Sequence, residues 1–303
     1  MPVSQPLETY QNEIYLNGLT GIRPGFPADL HQLEEAARAV LTPEAFGYIA
    51  GSAGAGDTAR ENLAALRRWR IVPRMLTDVS DPSYATQVLG TALPVPMLLA
   101  PVGVLGIAHA DGESAVARAA AAQGIPMIVS TASSTPMEDV AAASGAGPRW
   151  YQLYWPRDRA VAASFLDRAQ AAGFTVLVVT LDTRLLSWRP HDLDQGYLPF
   201  LRGIGVQNYL TDPAFAAGLA ASVEEDSAAA ILHYTQMFGD PSLTWDDLPF
   251  LRERWPGPVV LKGILTAADA RRAADAGVDG VIVSNHGGRQ VDGAIGALDA
   301  LPP

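Results

Sequence analysis

Residues 278–290 read V-D-G-V-I-V-S-N-H-G-G-R-Q. Val281, Ile282 and Val283 form an unbroken apolar run, the pattern of a parallel strand buried on both faces, and the polar cluster Ser284, Asn285, His286, Gly287, Gly288, Arg289 and Gln290 follows at once. Chemistry therefore sits where a strand ends. His286 can exchange a proton near neutral pH, Arg289 offers a carboxylate a planar fork, and the two glycines let backbone or ligand come close.

The same grammar repeats upstream. The junctions A-A-Q-G-I-P-M-I-V (121–129), A-A-G-F-T-V-L-V-V (171–179) and A-D-A-G-V-D-G-V-I-V (274–283) each run from an Ala-rich helix through glycine into an apolar strand. Strands are expected at about 95–100, 125–130, 150–154, 175–181, 258–262 and 280–284, alternating with helices, which argues for a parallel sheet with right-handed crossovers. The fold class predicted is α/β, a TIM (β/α)8-type barrel behind an N-terminal helical layer. Six strands are legible, and the chain stops at Pro303 before the last two. We read residues 1–303 as a single domain, with an N-terminal helical segment over 1–90 and a lid-like insertion over 190–247. In the helical segment, Leu30, Leu33, Ala37, Val40 and Leu41 share a face behind Asp29, an expected N-cap with Gln32 three residues on.

Composition narrows the function. The net charge of −11, with no run of Lys or Arg, argues against nucleic acid as a partner. Without cysteine there is no disulfide framework and no thiolate ligand or nucleophile, which fits a cytoplasmic location. The start M-P-V-S-Q-P-L-E-T-Y lacks the basic and apolar stretches of a signal peptide, and no window reaches 18 uncharged apolar residues, so no membrane association is expected. His31, His109, His191 and His233 show no paired ligand spacing, and no metal is expected. The run Gly51-Ser52-Ala53-Gly54-Ala55-Gly56 lacks the G-x-G-x-x-G spacing and follows no strand, so it reads as a flexible turn.

Barrel enzymes draw their catalytic groups from the carboxyl ends of several strands. Here those ends supply Pro101-Val102-Gly103, Ser130, Gln152 and Tyr154, Thr180 and Asp182, Lys262, and His286 with Arg289. Taken singly, each has an ordinary alternative: the residues alone leave open a solvent-reaching strand end for Lys262, a loop salt bridge for Arg189 and a core position for Tyr48.

The stretch S-N-H-G-G-R-Q (284–290) resembles the signature of the FMN-dependent 2-hydroxy acid oxidising family of glycolate oxidase and lactate oxidase. The resemblance runs from about Tyr10 to Pro303. N-E-I-Y-L-N-G-L-T-G (12–21), W-R-P-H-D-L (188–193), P-F-L-R-G (199–203) and N-Y-L-T-D-P (208–213) are most similar to the lactate 2-monooxygenase branch, and the C-terminal part of the family pattern is absent. The resemblance implies FMN as cofactor and a small 2-hydroxy acid and O2 as partners, with a homo-oligomer, a tetramer, expected. It implies His286 as base and Asp182 as its orienting partner, Tyr154 near the substrate oxygen, and Tyr48, Arg189 and Arg289 around the substrate carboxylate. Cofactor contacts would come from Pro101, Val102, Gly103, Ser130, Gln152, Thr180, Lys262 and Ser284, with Ala132 and Leu186 beside the substrate's side chain. The activity implied is oxidation of L-lactate with O2 to acetate, CO2 and water. Release of the 2-keto acid by an oxidase or dehydrogenase is the alternative, and a truncated member without activity is an alternative of another class. With no loops after strands seven and eight, where barrels commonly bind phosphate, FMN is expected to be held weakly.

Overall fold

The computed structural model describes residues 7–301. Met1 to Pro6, read above for a leader, and Pro303, where the resemblance ends, lie outside them. Four helices come first, α1 (Leu7–Gly18), α2 (Leu33–Val40), α3 (Pro43–Ala50) and α4 (Asp57–Arg68), and then a hairpin of β1 (Thr86–Val88) and β2 (Thr91–Leu93). The alternating part follows: α5 (Gly112–Gln123), β3 (Met127–Ser130), α6 (Met137–Ser144), β4 (Arg149–Leu153), α7 (Arg159–Ala171) and β5 (Leu177–Thr180). After four helices of the insertion, α8 (Pro190–Asp194), α9 (Gln207–Leu210), α10 (Pro213–Ala216) and α11 (Ser227–Met237), the alternation resumes. It runs through α12 (Leu248–Arg254), β6 (Val259–Ile264), α13 (Ala267–Asp275) and β7 (Gly280–Val283) to a last turn, α14 (Ala297–Ala300).

The five strands β3 to β7 pair in parallel and in sequence order, the winding of a barrel wall. β3 to β6 are buried between two apolar layers, whereas β7, expected from its Val281–Val283 run to be covered on both faces, is only partly buried, with Val281 37% exposed, because it is the edge of the sheet among the described residues. Met127, Val129, Tyr151, Leu153, Leu177, Val179, Val259 and Leu261 face the helices, whereas Ile128, Trp150, Val178 and Val260 form a second cluster on the concave side. The strand period of two then fixes what comes next on the concave face. Ser130 stands level with Gln152, and Thr180 with Lys262, so a polar ring caps the inner apolar one at the carboxyl ends.

The expected first strand, 95–100, is only a single parallel bridge between Leu99 and Met127. Pro94, Pro96 and Pro101 bring no N–H to a ladder, so pairing survives only where Leu99 donates to Pro126 O (2.9 Å) and accepts from Ile128 N (3.1 Å). The hairpin at 86–93 was not foreseen either. Its turn holds Leu89 at φ 49° and Gly90 at φ 78°, and leucine is not a residue that signals such a turn. Leu89 packs against the inner cluster and Thr91 Oγ1 accepts from Trp150 Nε1 (3.0 Å), so the hairpin covers the amino end of the concave face. In α2 the N-cap is displaced to a short 3-10 turn, where Asp29 accepts from His31 N, and Leu30 and Val40 remain exposed.

Much of the insertion is core. Val206, Tyr209 and Phe215 are completely buried, and Tyr209 packs edge-on against Phe165 of α7. Asn208, also fully buried, accepts from Met137 N (2.8 Å) and donates to Thr131 O (3.0 Å), tying the insertion to the loop after β3. Replacing Asn208 by Ala leaves a buried N–H and a buried carbonyl without partners. We expect a loss of about 2–3 kcal/mol in urea unfolding followed by circular dichroism.

Candidate active site

The polar ring opens into a cavity of about 790 Å³, within the range of ligand sites. Twelve expected residues line it: Tyr48, Pro101, Val102, Gly103, Ala132, Tyr154, Leu186, Arg189, Lys262, Ser284, His286 and Arg289. Ser130, Gln152, Thr180 and Asp182 stand behind this wall. Five cationic side chains line the cavity, Arg157, Arg184, Arg189, Lys262 and Arg289, and no described carboxylate does.

At its centre His286 Nδ1 lies 2.8 Å from Asp182 Oδ1. A carboxylate only accepts, so Nδ1 carries the proton and Nε2 is the free basic nitrogen, 3.4 Å from the Tyr154 hydroxyl. Thr183 Oγ1 sits 3.3 Å from both His286 Nδ1 and Asp182 Oδ1, a neighbour that the motif did not announce. Burial holds the His286 pKa below its ordinary value of 6.5, with Lys262 and Arg189 adding to the shift and Asp182 opposing it. The imidazole is thus neutral and ready to take a proton near pH 7. Burial also pushes the Tyr154 hydroxyl above the ordinary tyrosine range, so it stays a donor.

Local backbone delivers these groups. His286 itself has φ 60°, and Gly287 and Gly288 continue the left-handed turn at 67° and 75°. Ser284 Oγ accepts from His286 N (3.0 Å), so Ser284 serves the turn as well as the cavity wall. Asp182 reaches His286 because β6 bulges at Gly263, whose φ is 108°. A Cβ there would lie 3.0 Å from both Cβ and Cγ of Asp182, a crowding that only glycine avoids. Gly103 plays a similar part, since its Cβ would sit 2.5 Å from Ala132 O.

The two arginines are held by backbone and neighbours. Arg289 donates to the carbonyls of Tyr48 (2.8 Å), Ile49 (3.1 Å) and Gly51 (2.6 Å), closing the carboxyl end of α3. Arg189 donates through Nε to Ser187 Oγ (2.8 Å) and Arg289 O (3.0 Å), and through Nη2 to Gln290 Oε1 (2.9 Å). A guanidinium has five donors, so both keep some for a ligand. Burial first, then the charge of Arg189, holds the Arg289 pKa below its usual value, as expected of paired cations without an anion between them. The Tyr48 ring lies beneath both, 5.9 Å from Arg189 Cζ and 5.3 Å from Arg289 Cζ.

Behind this wall the ring has spare capacity. Ser130 Oγ donates to Gln152 Oε1 (2.9 Å), but Gln152 Nε2 and Thr180 Oγ1 are buried without any partner. The Lys262 ammonium meets no hydrogen-bond acceptor among the described residues, and its pKa is lowered by burial against the opposing pull of Asp182. Buried donors are normally satisfied, so an amide, a hydroxyl and an ammonium left over on one ring fit a planar, acceptor-rich group such as isoalloxazine. The glycine run at 51–56 binds an internal anion instead. Asp292 accepts from Ala55 N (2.7 Å) and Thr58 N (3.0 Å), so the expected flexible turn is a tied one. No described cluster of His, Asp and Glu has the arrangement of a metal site, and no described helix is long and apolar enough to cross a membrane.

The chain is 47% identical over 298 residues to the FMN-dependent alpha-hydroxy acid dehydrogenase qulF of Penicillium citrinum, covering 97% of this chain and 74% of that one. It is 41% identical over 294 residues to an L-lactate oxidase of Lysinibacillus sphaericus, covering 97% and 75%. The fold matches a crystal structure of mandelate oxidase with (S)-4-hydroxymandelic acid at a TM-score of 0.77 and 38% identity, over 90% of this chain and 74% of that one. The sequence pattern of the FMN-dependent dehydrogenases matches residues 37–303, and the chain belongs to that family, with FMN as its cofactor.

Proposed function

We propose that the protein oxidises a small L-2-hydroxy acid, L-lactate above others, with O2, and that it yields acetate, CO2 and water. The observation that carries this reading is a cavity with five cations and no described carboxylate in a chain of net charge −11. Such a pocket suits a small anion. Its carboxylate would take the spare donors of Arg189 and Arg289, with Tyr48 beneath them. Ala132 and Leu186 leave room for a short aliphatic side chain.

Bound FMN would supply the two-electron acceptor chemistry and the reactivity toward O2. Gln152, Thr180, Ser130 and Lys262 would hold its ring, and Lys262 would favour the negative charge that gathers there on reduction. The Pro101–Gly103 backbone forms the neighbouring wall. His286 Nε2 takes the proton that the hydroxyl-bearing carbon unit gives up, while Asp182 fixes the ring and stabilises the imidazolium. Tyr154, whose hydroxyl lies 3.4 Å from Nε2, would donate to the substrate oxygen.

The fate of the 2-keto acid depends on its escape. Two segments that resemble the monooxygenase branch reach the cavity wall, 188–193 through Arg189 and 199–203 through Phe200, while a third, 208–213, anchors the insertion in the core. These support retention of the keto acid and its conversion to acetate. Release of the keto acid is the second reading, favoured by the likeness to proteins named lactate oxidase.

We expect FMN-loaded protein turning over L-lactate in air to give acetate and CO2 in equal amounts; pyruvate with an equivalent of hydrogen peroxide, measured by chromatography and a peroxidase assay, establishes the oxidase reading instead. His286→Gln should slow anaerobic flavin reduction by about 10²- to 10⁴-fold, followed by stopped-flow absorbance. Because His286 must be unprotonated and burial lowers its pKa, the acid limb of kcat/KM should lie below the pH at which an ordinary imidazole titrates. Arg189→Met and Arg289→Met should each weaken oxalate binding by about 1.5–3 kcal/mol, titrated by flavin absorbance.

A further inference from the structure

The turn that carries His286 is gripped from outside the barrel. Asn285, 6% exposed, accepts through Oδ1 from Gly288 N (3.2 Å), which closes the turn, and donates through Nδ2 to Ile295 O (2.9 Å). The same amide forms a reciprocal pair with Asn62 of α4: Asn62 Nδ2 donates to Asn285 Oδ1 (2.9 Å) and Asn285 Nδ2 donates to Asn62 Oδ1 (2.7 Å). Asn62 Oδ1 also accepts from Ala297 N (3.0 Å), beyond the turn. Nearby, Ala53 N donates to Gly288 O (2.9 Å), and a Cβ on Gly288 would lie 2.5 Å from Ala59 N, so the turn rests directly on α4.

This grip has work to do. Three consecutive residues are left-handed, a conformation that glycine takes freely and that His286 takes against its preference. A strained non-glycine residue persists only when its surroundings over-determine it. Ser284 and Asn285 act from within the loop, and Asn62 is the side chain that fastens Asn285 to a separate rigid element.

We propose that Asn62 is a positioning residue for the base: through Asn285 it holds the His286 backbone left-handed and so keeps Nδ1 on Asp182 and Nε2 facing the cavity. This rests on the reading of His286 as base. Arg289 has its own anchors on Tyr48, Ile49 and Gly51, so loss of Asn62 separates proton transfer from carboxylate binding.

The test uses FMN-loaded full chain as parent, Asn62→Ala and Asn62→Asp, with Glu61→Ala as a control on the same helix. Histidine-labelled protein reports the His286 tautomer by nitrogen NMR, assigned with His286→Gln, and this readout does not depend on the substrate. Asn62→Ala should lose the fixed Nδ1–H form, slow lactate reduction of the flavin by about 10- to 100-fold as sub-ångström misplacement does, and leave oxalate affinity within about twofold. Asn62→Asp keeps the acceptor toward Asn285 and Ala297 but loses the donor, and serves as the second variant if the alanine form does not fold. Glu61→Ala should match the parent. The groups that face His286 are Asp182, Lys262, Arg189 and Tyr154, so a ring that leaves Asp182 loses its one stabilising anion and the acid limb of kcat/KM moves to lower pH. A parental tautomer in both Asn62 variants overturns the proposal, as does a fall in rate matched by an equal fall in oxalate affinity. A shifted tautomer in a protein that does not oxidise lactate upholds the positioning role and removes only the substrate reading.

Discussion

A parallel strand covered on both faces can be polar only at its ends, and this constraint organises the molecule. Ile128, Trp150, Val178 and Val260 must be apolar because they pack on one another and on Leu89 on the concave face. Two residues further on, the strand period returns Ser130, Gln152, Thr180 and Lys262 to the same face, now at the carboxyl ends where the ladder stops. Burial there is tolerable only if the donors find acceptors. Gln152 Nε2 and Thr180 Oγ1 find none among the described residues, and on the reading proposed above a bound flavin would complete the ring.

The base does not sit on the sheet itself but on the first turn beyond it, and the strain of that turn is shared out. Gly287 and Gly288 take the left-handed angles without penalty, whereas His286 takes one against its preference. The N-terminal helices supply the restraint: α4 contacts the turn through Asn62 and Ala59, and the glycine run before it wraps the Asp292 carboxylate just downstream. A segment that looked like an outer layer therefore braces the turn that carries His286. Gly263 contributes from the other side by leaving Asp182 room to meet the imidazole.

The barrel wall and the central pair were legible because both follow from local signals: apolar runs with glycine junctions, and polar residues placed directly after them. His286, Asp182, Tyr154 and Lys262 converge because they stand at or just beyond the carboxyl ends of sequence-ordered parallel strands, and Arg189, at the start of the insertion, joins them beside Arg289. The braces were not legible. Asn62 and Asn285 are 223 residues apart, and nothing in either neighbourhood marks one amide as the partner of the other. The bulge at Gly263 and the turn at Leu89 depend on tertiary crowding that overrides local preference. Arg289 was readable as a cation for a ligand, yet not as the group that closes α3, because that helix end is 238 residues away. Prolines that are compatible with an extended run hid the near-absence of the first strand from a reading based on hydrophobicity alone.

Electrostatics explains how an acidic protein accepts an acid. The charge of −11 repels an anion at long range, but screening at about 8 Å in physiological salt confines that repulsion to the surface. Inside the cavity five cations act without a described carboxylate among them, where the local dielectric is lower and each charge counts for more. Arg189 and Arg289 are held side by side by carbonyls, Ser187 and Gln290, with Asp192 no nearer than 3.8 Å to Arg189. Their mutual repulsion is therefore met by the folded backbone before any ligand arrives. A carboxylate entering between them relieves it without reorganising the site, and the imidazole nearby already has its proton on the nitrogen that faces Asp182. On the proposed reading, binding and proton removal would draw on separate supports, the carboxyl end of α3 for Arg289 and α4 for His286.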